Sequence, residues 1–242
     1  MQIRRFIVAQ IPAAGVECVL PPAEALHAGK VLRLGPGDRI DLLDGAGTRA
    51  EAVLTAPGAG RRFEGMACRV TARQAVAAPA LRIRLYLAPP RARLMGDAVR
   101  IATELGVRRL TPILCRYSVS RPDAAAAVGW EQDAEAAMKQ SGNPFRPQID
   151  PPRDLAAALR DAAEPGVFGA VPRAGAPEES AAAVGAGDVG LWVGPEGGFS
   201  EDEEAALAGH GLAPLSVGPW ILRVETAVPA LLGRLWGGRA HA

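Results

Sequence analysis

Up to Ala75 the apolar positions come in short runs broken by glycine and proline. The segments RRFIVAQI, CVLP, KVLRL, RIDLLDG, TRAEAVLTA and MACRVTARQ are punctuated by turns at Gly35-Pro36-Gly37-Asp38 and Gly45-Ala46-Gly47. In RIDLLDG, Ile40 and Leu42 alternate with polar neighbours, the period-2 pattern of a half-buried strand. Short strands with turn signals at this spacing predict a small β-barrel or sandwich, with one helical turn at Pro22 to Ala28.

The pattern changes at Gln74 to Pro79, which reads as a linker. Beyond it, short apolar runs alternate with longer amphipathic ones. LRIRLYLA precedes RARLMGDAVRIATELGV, and LTPILC precedes a helix around Trp130 to Ser141. VFGAV precedes an Ala-rich stretch, VGLWV precedes SEDEEAALAGH, and LSV precedes a final helix ending near Trp236. Strands alternating with helices predict an α/β domain whose parallel sheet is covered by helices. The expected division is therefore 1–73 and 74–242, with Ala174 to Gly187 a surface connection.

Composition narrows the class. The chain has 242 residues, 49% hydrophobic and 22% charged, which fits a globular protein rather than a disordered or fibrous one. No apolar run is long enough for a spanning helix, and MQIRRFIVAQIP carries no cleavage-like small-residue site, so a cytoplasmic protein without membrane association is expected. The cysteines, Cys18, Cys68 and Cys115, are odd in number and distant in sequence. They suggest neither a disulfide framework nor a metal site, and read as small buried hydrophobes.

Net charge is +1, but unevenly placed: residues 1–75 hold 10 Lys/Arg and 7 Asp/Glu, residues 76–155 hold 12 and 8, and residues 156–242 hold 5 and 11. A basic surface on the first two thirds suits a polyanion such as nucleic acid.

Two segments carry candidate chemistry. In LWVGPEGGFSEDEEAAL, a strand runs into the loop Gly194 to Gly198, and Ser200 with Glu203 forms a capping box that starts a helix. Glycines let a backbone approach a ligand closely, and the carboxyl end of a parallel strand is where ligands bind. Phosphate is disfavoured: the loop has no Lys or Arg, lacks the phosphate-binding glycine patterns, and is crowded by Glu196, Glu201, Asp202, Glu203 and Glu204. A neutral or cationic ligand with an adenine to bury fits better, and a sulfonium cofactor is one. The alternative is a tight strand-to-helix turn with no ligand. In LSVGPWILRVETAVPALLGRLW, a Gly218-Pro219 turn is followed by apolar Trp220, Ile221 and Leu222, then Arg223, Glu225 and Thr226, then a helix whose first turn accepts Pro229. Apolar residues beside a few polar groups are how small-molecule pockets are built; a salt bridge or helix cap is the plainer reading of Arg223 and Glu225.

Together with RRFIV, HAGKVLRLGPGDRIDLLDG and ATELGV, these segments resemble the bacterial small-subunit ribosomal RNA methyltransferases that methylate N3 of a uridine, in the knotted SPOUT class. GPEGGFS-x-x-E spans Gly194 to Glu203 and ILR-x-ETA spans Ile221 to Ala227. The resemblance implies a PUA-like β-barrel, a C-terminal α/β domain with a deep trefoil knot, a homodimer, and ribosomal RNA or the assembled 30S subunit as partner. It implies an S-adenosylmethionine site at Val193, Gly194, Pro195, Glu196, Gly197 and Gly198, facing Val217, Gly218, Ile221, Leu222 and Thr226. Arg223 would stabilise charge on the uracil carbonyls, with Glu225 orienting it. RNA contacts would fall to Arg4, Arg5, Lys30, Arg33 and Arg116. The alternative is a non-catalytic RNA-binding or ribosome-assembly factor on the same fold; an enzyme using another nucleotide cofactor is disfavoured by the missing phosphate pattern.

The chain departs from the family pattern where Glu-Gln-Ser/Cys-x-Arg is common and Lys139-Gln140-Ser141-Gly142-Asn143 stands instead. Near ATELGV the expected lysine is absent and Arg100 lies one position earlier. Cys115 replaces an acid before Arg116.

Overall fold

The computed structural model describes residues 4–123, 125–171 and 187–237. They form two compact units, one of Met1–Ala78 with Glu135–Arg146, the other of Pro79–Ala134 with Pro147–Ala242.

The first unit is built on a five-stranded curled sheet. Its strands are β1 (Arg5–Ile7), β2 (Glu17–Val19), β3 (Arg39–Leu43), β4 (Thr48–Ala56) and β5 (Ala67–Ala75), in the order β1-β3-β4-β5-β2. Alternation sets the faces. On β4, Ala50, Ala52 and Leu54 are buried while Arg49 and Glu51 point to solvent, and β3 turns Ile40 and Leu42 inward. Phe6, Met66, Cys68 and Val70 complete the core. Register shifts between Glu51 and Ala52 and between Leu54 and Ala56 bend the long β4-β5 ribbon. Because β5 pairs with β4 as far as Ala75↔Thr48, the expected boundary at 73/74 falls inside a strand.

KVLRL is not a strand. Helix α1 (Pro22–Leu26) continues as a wider helical turn, His27–Val31. Ala25 and Ala28 are buried and Leu32 packs against the same core, a spacing of three and four rather than two. Gly29 lies against Phe63, where a Cβ would fall 2.2 Å from the ring.

The second unit holds a parallel sheet. Its elements are β6 (Leu81–Leu87), α2 (Ala92–Glu104), β7 (Arg109–Leu114), α3 (Ala126–Ser141, whose end from Glu135 belongs to the first unit), β8 (Gln148–Ile149), β9 (Arg153–Asp154), α4 (Leu155–Asp161), β10 (Gly166–Gly169), β11 (Gly187–Val193), α5 (Glu201–Gly209), β12 (Ala213–Leu215) and α6 (Val224–Trp236). The strand order is β12-β10-β11-β6-β7-β8, with β9 also on β7. Every pairing is parallel. The carboxyl halves of the central strands, Leu85–Leu87 of β6 and Val189–Val193 of β11, are buried on both faces, as in a covered parallel sheet. Helix α6 turns Val224, Val228, Leu231, Leu232 and Leu235 into the core, and the Trp236 Nε1–H donates to the Leu105 carbonyl at 2.8 Å.

Three elements have no sequence signal strong enough to find them: β8 and β9 are two residues each, and α4 lies in an Ala-rich run. Helix α6 starts earlier than the proline suggests, so Pro229 sits inside it and Glu225 and Thr226 fall in its first turn. Residues 174–186 of the expected surface connection lie outside the described residues, as does His241. Among the described residues no helix is long and apolar enough to cross a membrane.

Candidate functional site

Beyond the carboxyl ends of the three adjacent strands β12, β10 and β11 lies a cleft that is open to solvent. Residues 169–171 line it after β10, and residues 193–199 after β11. After β12 come Leu215, Val217, Trp220, Ile221 and Leu222, while Val224, Ala227 and Leu231 of α6 make the remaining wall.

Local sequence explains each wall. At Gly194 a Cβ would lie 3.2 Å from the Phe199 ring, and at Gly169 it would lie 3.0 Å from Leu231 Cδ1, so a side chain at either strand end would crowd a residue that lines the cleft. Gly198 (φ 76°) and Gly218 (φ 66°) take the left-handed conformation that turns each loop. The expected capping box is present: Glu203 N–H donates to Ser200 Oγ, and Ser200 N–H donates to Glu203 Oε2. The other Glu203 oxygen accepts from the Arg116 backbone N–H at 2.7 Å, which ties the loop after β7 to the start of α5. The Arg234 guanidinium donates to the Ser216 carbonyl and anchors the loop after β12.

Of the residues expected at a cofactor, Val193, Gly194, Pro195, Glu196, Gly197, Gly198, Val217, Ile221 and Leu222 line the cleft. Gly218 and Thr226 do not; both are exposed, the first supplying the turn and the second lying on the outer side of α6. Arg223 caps α6 between two lining residues, its side chain 86% exposed and Nη1 3.9 Å from Glu225 Oε1. Sequence reasoning missed Phe199 and the wall of α6. The apolar positions Val224, Ala227 and Leu231, at the three- and four-residue spacing of one helical face, are the signal that carries the latter.

Among the described residues the lining has no Lys, Arg or His and one carboxylate, Glu196, which is exposed. Its walls are otherwise apolar side chains and backbone. That combination suits an aromatic ring system carrying a positive group and opposes an anion. Among the described residues no cluster of His, Cys, Asp and Glu could hold a metal ion.

The expected RNA contacts divide. Arg4 pairs with Asp38 at 2.8 Å. The Gly35 N–H and Arg4 together hold the Asp38 carboxyl below its ordinary range. Arg5 donates to the Lys139 and Gln140 carbonyls at the end of α3. Lys30 and Arg33 are exposed, as is Arg116, whose guanidinium lies 3.8 Å from Asp202 and 5.8 Å from the Tyr117 ring centre.

The departures from the family pattern have structural partners. Lys139 pairs with Glu24, and Asn143 Oδ1 accepts the Phe145 N–H at 3.0 Å. Arg100 bridges Asp97 and Asp133 between α2 and α3. Cys18 and Cys68, distant in sequence, face each other across β2 and β5 with sulfurs 3.4 Å apart.

Residues 77–236 match the model of the RNA methyltransferase domain, and residues 20–61 match the RNA methyltransferase PUA domain. The chain is 30% identical to the ribosomal RNA small subunit methyltransferase E of Mycobacterium bovis, over 94% of this chain and 89% of that one. Among solved structures it resembles a putative methyltransferase of Legionella pneumophila in complex with the cofactor SAM (TM-score 0.87, 26% identity, 98% of both chains covered). It also resembles a ribosomal RNA small subunit methyltransferase E of Neisseria gonorrhoeae bound to S-adenosyl methionine (TM-score 0.81, 25% identity, 96% of both chains).

Proposed function

This chain belongs to the RNA methyltransferase family that includes the ribosomal RNA small subunit methyltransferases E, and on that premise we propose that it methylates N3 of a uridine in small-subunit ribosomal RNA, using S-adenosylmethionine. The observation that carries this reading is the cleft beyond β12, β10 and β11, whose lining among the described residues is mostly apolar and has no Lys or Arg.

The residues present fit the cofactor. Val193, Leu215, Val217 and Leu231 offer an apolar slot for an adenine, the loop 194–198 offers backbone groups, and Glu196 places a negative charge at the rim. When bound, the cofactor supplies a methyl group on a sulfonium sulfur, already activated for attack. The protein's task is the nucleophile: N3 must lose its proton to water as it takes the methyl, leaving S-adenosylhomocysteine. Arg223 serves this by offering cationic donors to the uracil carbonyls, on which negative charge gathers as N3 deprotonates. Glu225, whose Oε1 lies 3.9 Å from Nη1, is the residue proposed to orient the guanidinium.

On the same reading the curled sheet with Arg4, Arg5, Lys30 and Arg33, together with Arg116, contacts RNA phosphates. The chain acts in the cytoplasm as a homodimer on ribosomal RNA or the 30S subunit, and its C-terminal segment is threaded as a trefoil knot. The resemblance of the two cleft motifs to the knotted methyltransferases supports these last features.

Calorimetry with S-adenosylmethionine tests the proposal, on the wild type and on Val217→Trp, which fills the slot from a loop. Gly197 is a poorer position, since its Cβ would point at Tyr117. Binding lost in the folded variant, together with a methylated uridine found in treated ribosomal RNA by mass spectrometry, is the expected result. A wild type that binds RNA but neither takes up cofactor nor methylates would instead be a non-catalytic factor.

A further inference from the structure

The mouth of the cleft carries large apolar side chains in water. Trp220 lines the cleft and is nonetheless 76% exposed, as is Ile221 beside it. The other three tryptophans are placed differently: Trp192 is buried and stacked on Tyr86, Trp130 is buried, and Trp236 is hydrogen-bonded through its indole N–H. Across the glycine loop stands Tyr117, 48% exposed, whose Cβ lies 3.1 Å from where a Cβ on Gly197 would be. Each aromatic has an exposed arginine close by in sequence: Arg223 follows Trp220 by three residues, and Arg116 precedes Tyr117, its guanidinium near the ring.

Flat aromatic faces beside mobile cations are how single-stranded nucleic acid is held, the bases stacking and the cations taking phosphates. A cofactor deep among Val193, Leu215 and Leu231 leaves the outer face of the Trp220 indole uncovered. The base to be methylated must arrive at that face, since it meets the cofactor at the mouth.

We infer that Trp220 is the stacking platform for the target uracil and that Tyr117 takes an adjacent base, so that the RNA strand crosses the mouth from the loop after β12 to the loop after β7. This rests on the methyl-transfer reading and names how its substrate is gripped. Trp220 thereby acts as a positioning residue: it sets the plane of the ring, while Arg223 addresses the carbonyls at its edge.

The test uses the full-length protein with S-adenosylhomocysteine and fluorescein-labelled oligouridine. Wild-type tryptophan emission is quenched as the oligomer binds, and Trp220→Phe abolishes the quenching while keeping most of the affinity. Trp220→Ala weakens oligouridine by roughly 5- to 100-fold, and Tyr117→Ala weakens it less. The circular dichroism spectrum stays unchanged in each variant, and calorimetric affinity for S-adenosylmethionine falls much less than affinity for the oligomer.

Four results would overturn the inference. Equal oligouridine affinity in wild type and Trp220→Ala, or no quenching in the wild type, means that no base stacks there. Cofactor affinity falling as far as RNA affinity makes the indole a lid on the cofactor. A change from dimer to monomer in light scattering assigns the indole to a second copy of the chain. A wild type that is quenched by oligouridine but leaves ribosomal RNA unmethylated retires the methyl-transfer reading and keeps the platform.

Discussion

The Lys139 ammonium donates to the Glu24 carboxylate at 2.9 Å, joining the end of α3 to α1 through a carboxylate that is only 9% exposed. The second Glu24 oxygen has no partner. The cation that departs from the family pattern is therefore matched inside the chain by a buried acid. Removing one partner strands the other. Lys139→Met is expected to cost about 2 kcal/mol, the buried-pair penalty reduced for the partial exposure of the lysine. The double variant Lys139→Met/Glu24→Leu recovers most of it. Urea denaturation of the three proteins checks the pair, and equal losses in single and double variants would contradict it.

Cys18 and Cys68 are expected to join when oxidised. Oxidised glutathione accepts the two electrons and both thiol protons, leaving two glutathione molecules and one intramolecular disulfide. Free thiols fall from three to one, and Cys18→Ser blocks the change. The hydrogen bond between the two sulfurs lowers the Cys18 thiol to about 7 and raises that of Cys68. Burial pushes Cys115 up to about 12. Iodoacetamide should accordingly modify Cys18 first, with a rate that rises through pH 7, as followed by mass spectrometry.

Arg223→Ala should lower kcat by about 10²- to 10³-fold if the guanidinium stabilises charge on the uracil. Cofactor affinity should hold, because the side chain does not line the cleft. Arg223→Lys should restore part of the rate. Unchanged turnover in the alanine variant would remove the assignment.

Acid should weaken the second unit through Asp150. Burial pushes this carboxyl up, but hydrogen bonds from Arg109 and Thr111 outweigh it and hold the group below its usual range. A carboxyl depressed on folding adds stability that is present above its unfolded value, near pH 4, and lost as the pH falls through the lower folded value. Thermal unfolding of the wild type should therefore fall more steeply below pH 4 than that of Asp150→Asn, which lacks the titrating group.

Ser200→Ala should destabilise the protein by about 1 kcal/mol, the usual value of an N-cap. Because Glu203 also holds the Arg116 N–H, Glu203→Ala should cost more than Ser200→Ala and loosen the loop after β7. Hydrogen exchange at residues 115–118 would register that difference.

Strand and helix periods in the chain are enough for the α/β order after Leu81, for β3, β4 and β5, and for the capping box, because each rests on a repeat several residues long. KVLRL failed because five residues suit either period, and only the burial of Ala25 and Ala28 separates them. The loops after β11 and β12 were legible because glycine and proline mark them, whereas residues 169–171 of the same cleft were not singled out. The contribution of α6 was not, since Val224, Ala227 and Leu231 join the site through packing across three strand ends. Partners distant in sequence, such as Lys139 with Glu24 or Cys18 with Cys68, leave no local trace in either segment.

Among the described residues, strand β12 ends one side of the parallel sheet with three residues and pairs with β10 alone. The Leu215 carbonyl accepts from the Ala170 N–H, so alternation turns the backbone of residue 214 outward. That residue is proline, which has no N–H to offer. An incoming strand finds no donor at the centre of the edge, and the sheet cannot readily grow from one molecule to the next. Pro214 thus protects the chain against edge-to-edge aggregation while the strand it interrupts still carries Leu215 to the floor of the cleft.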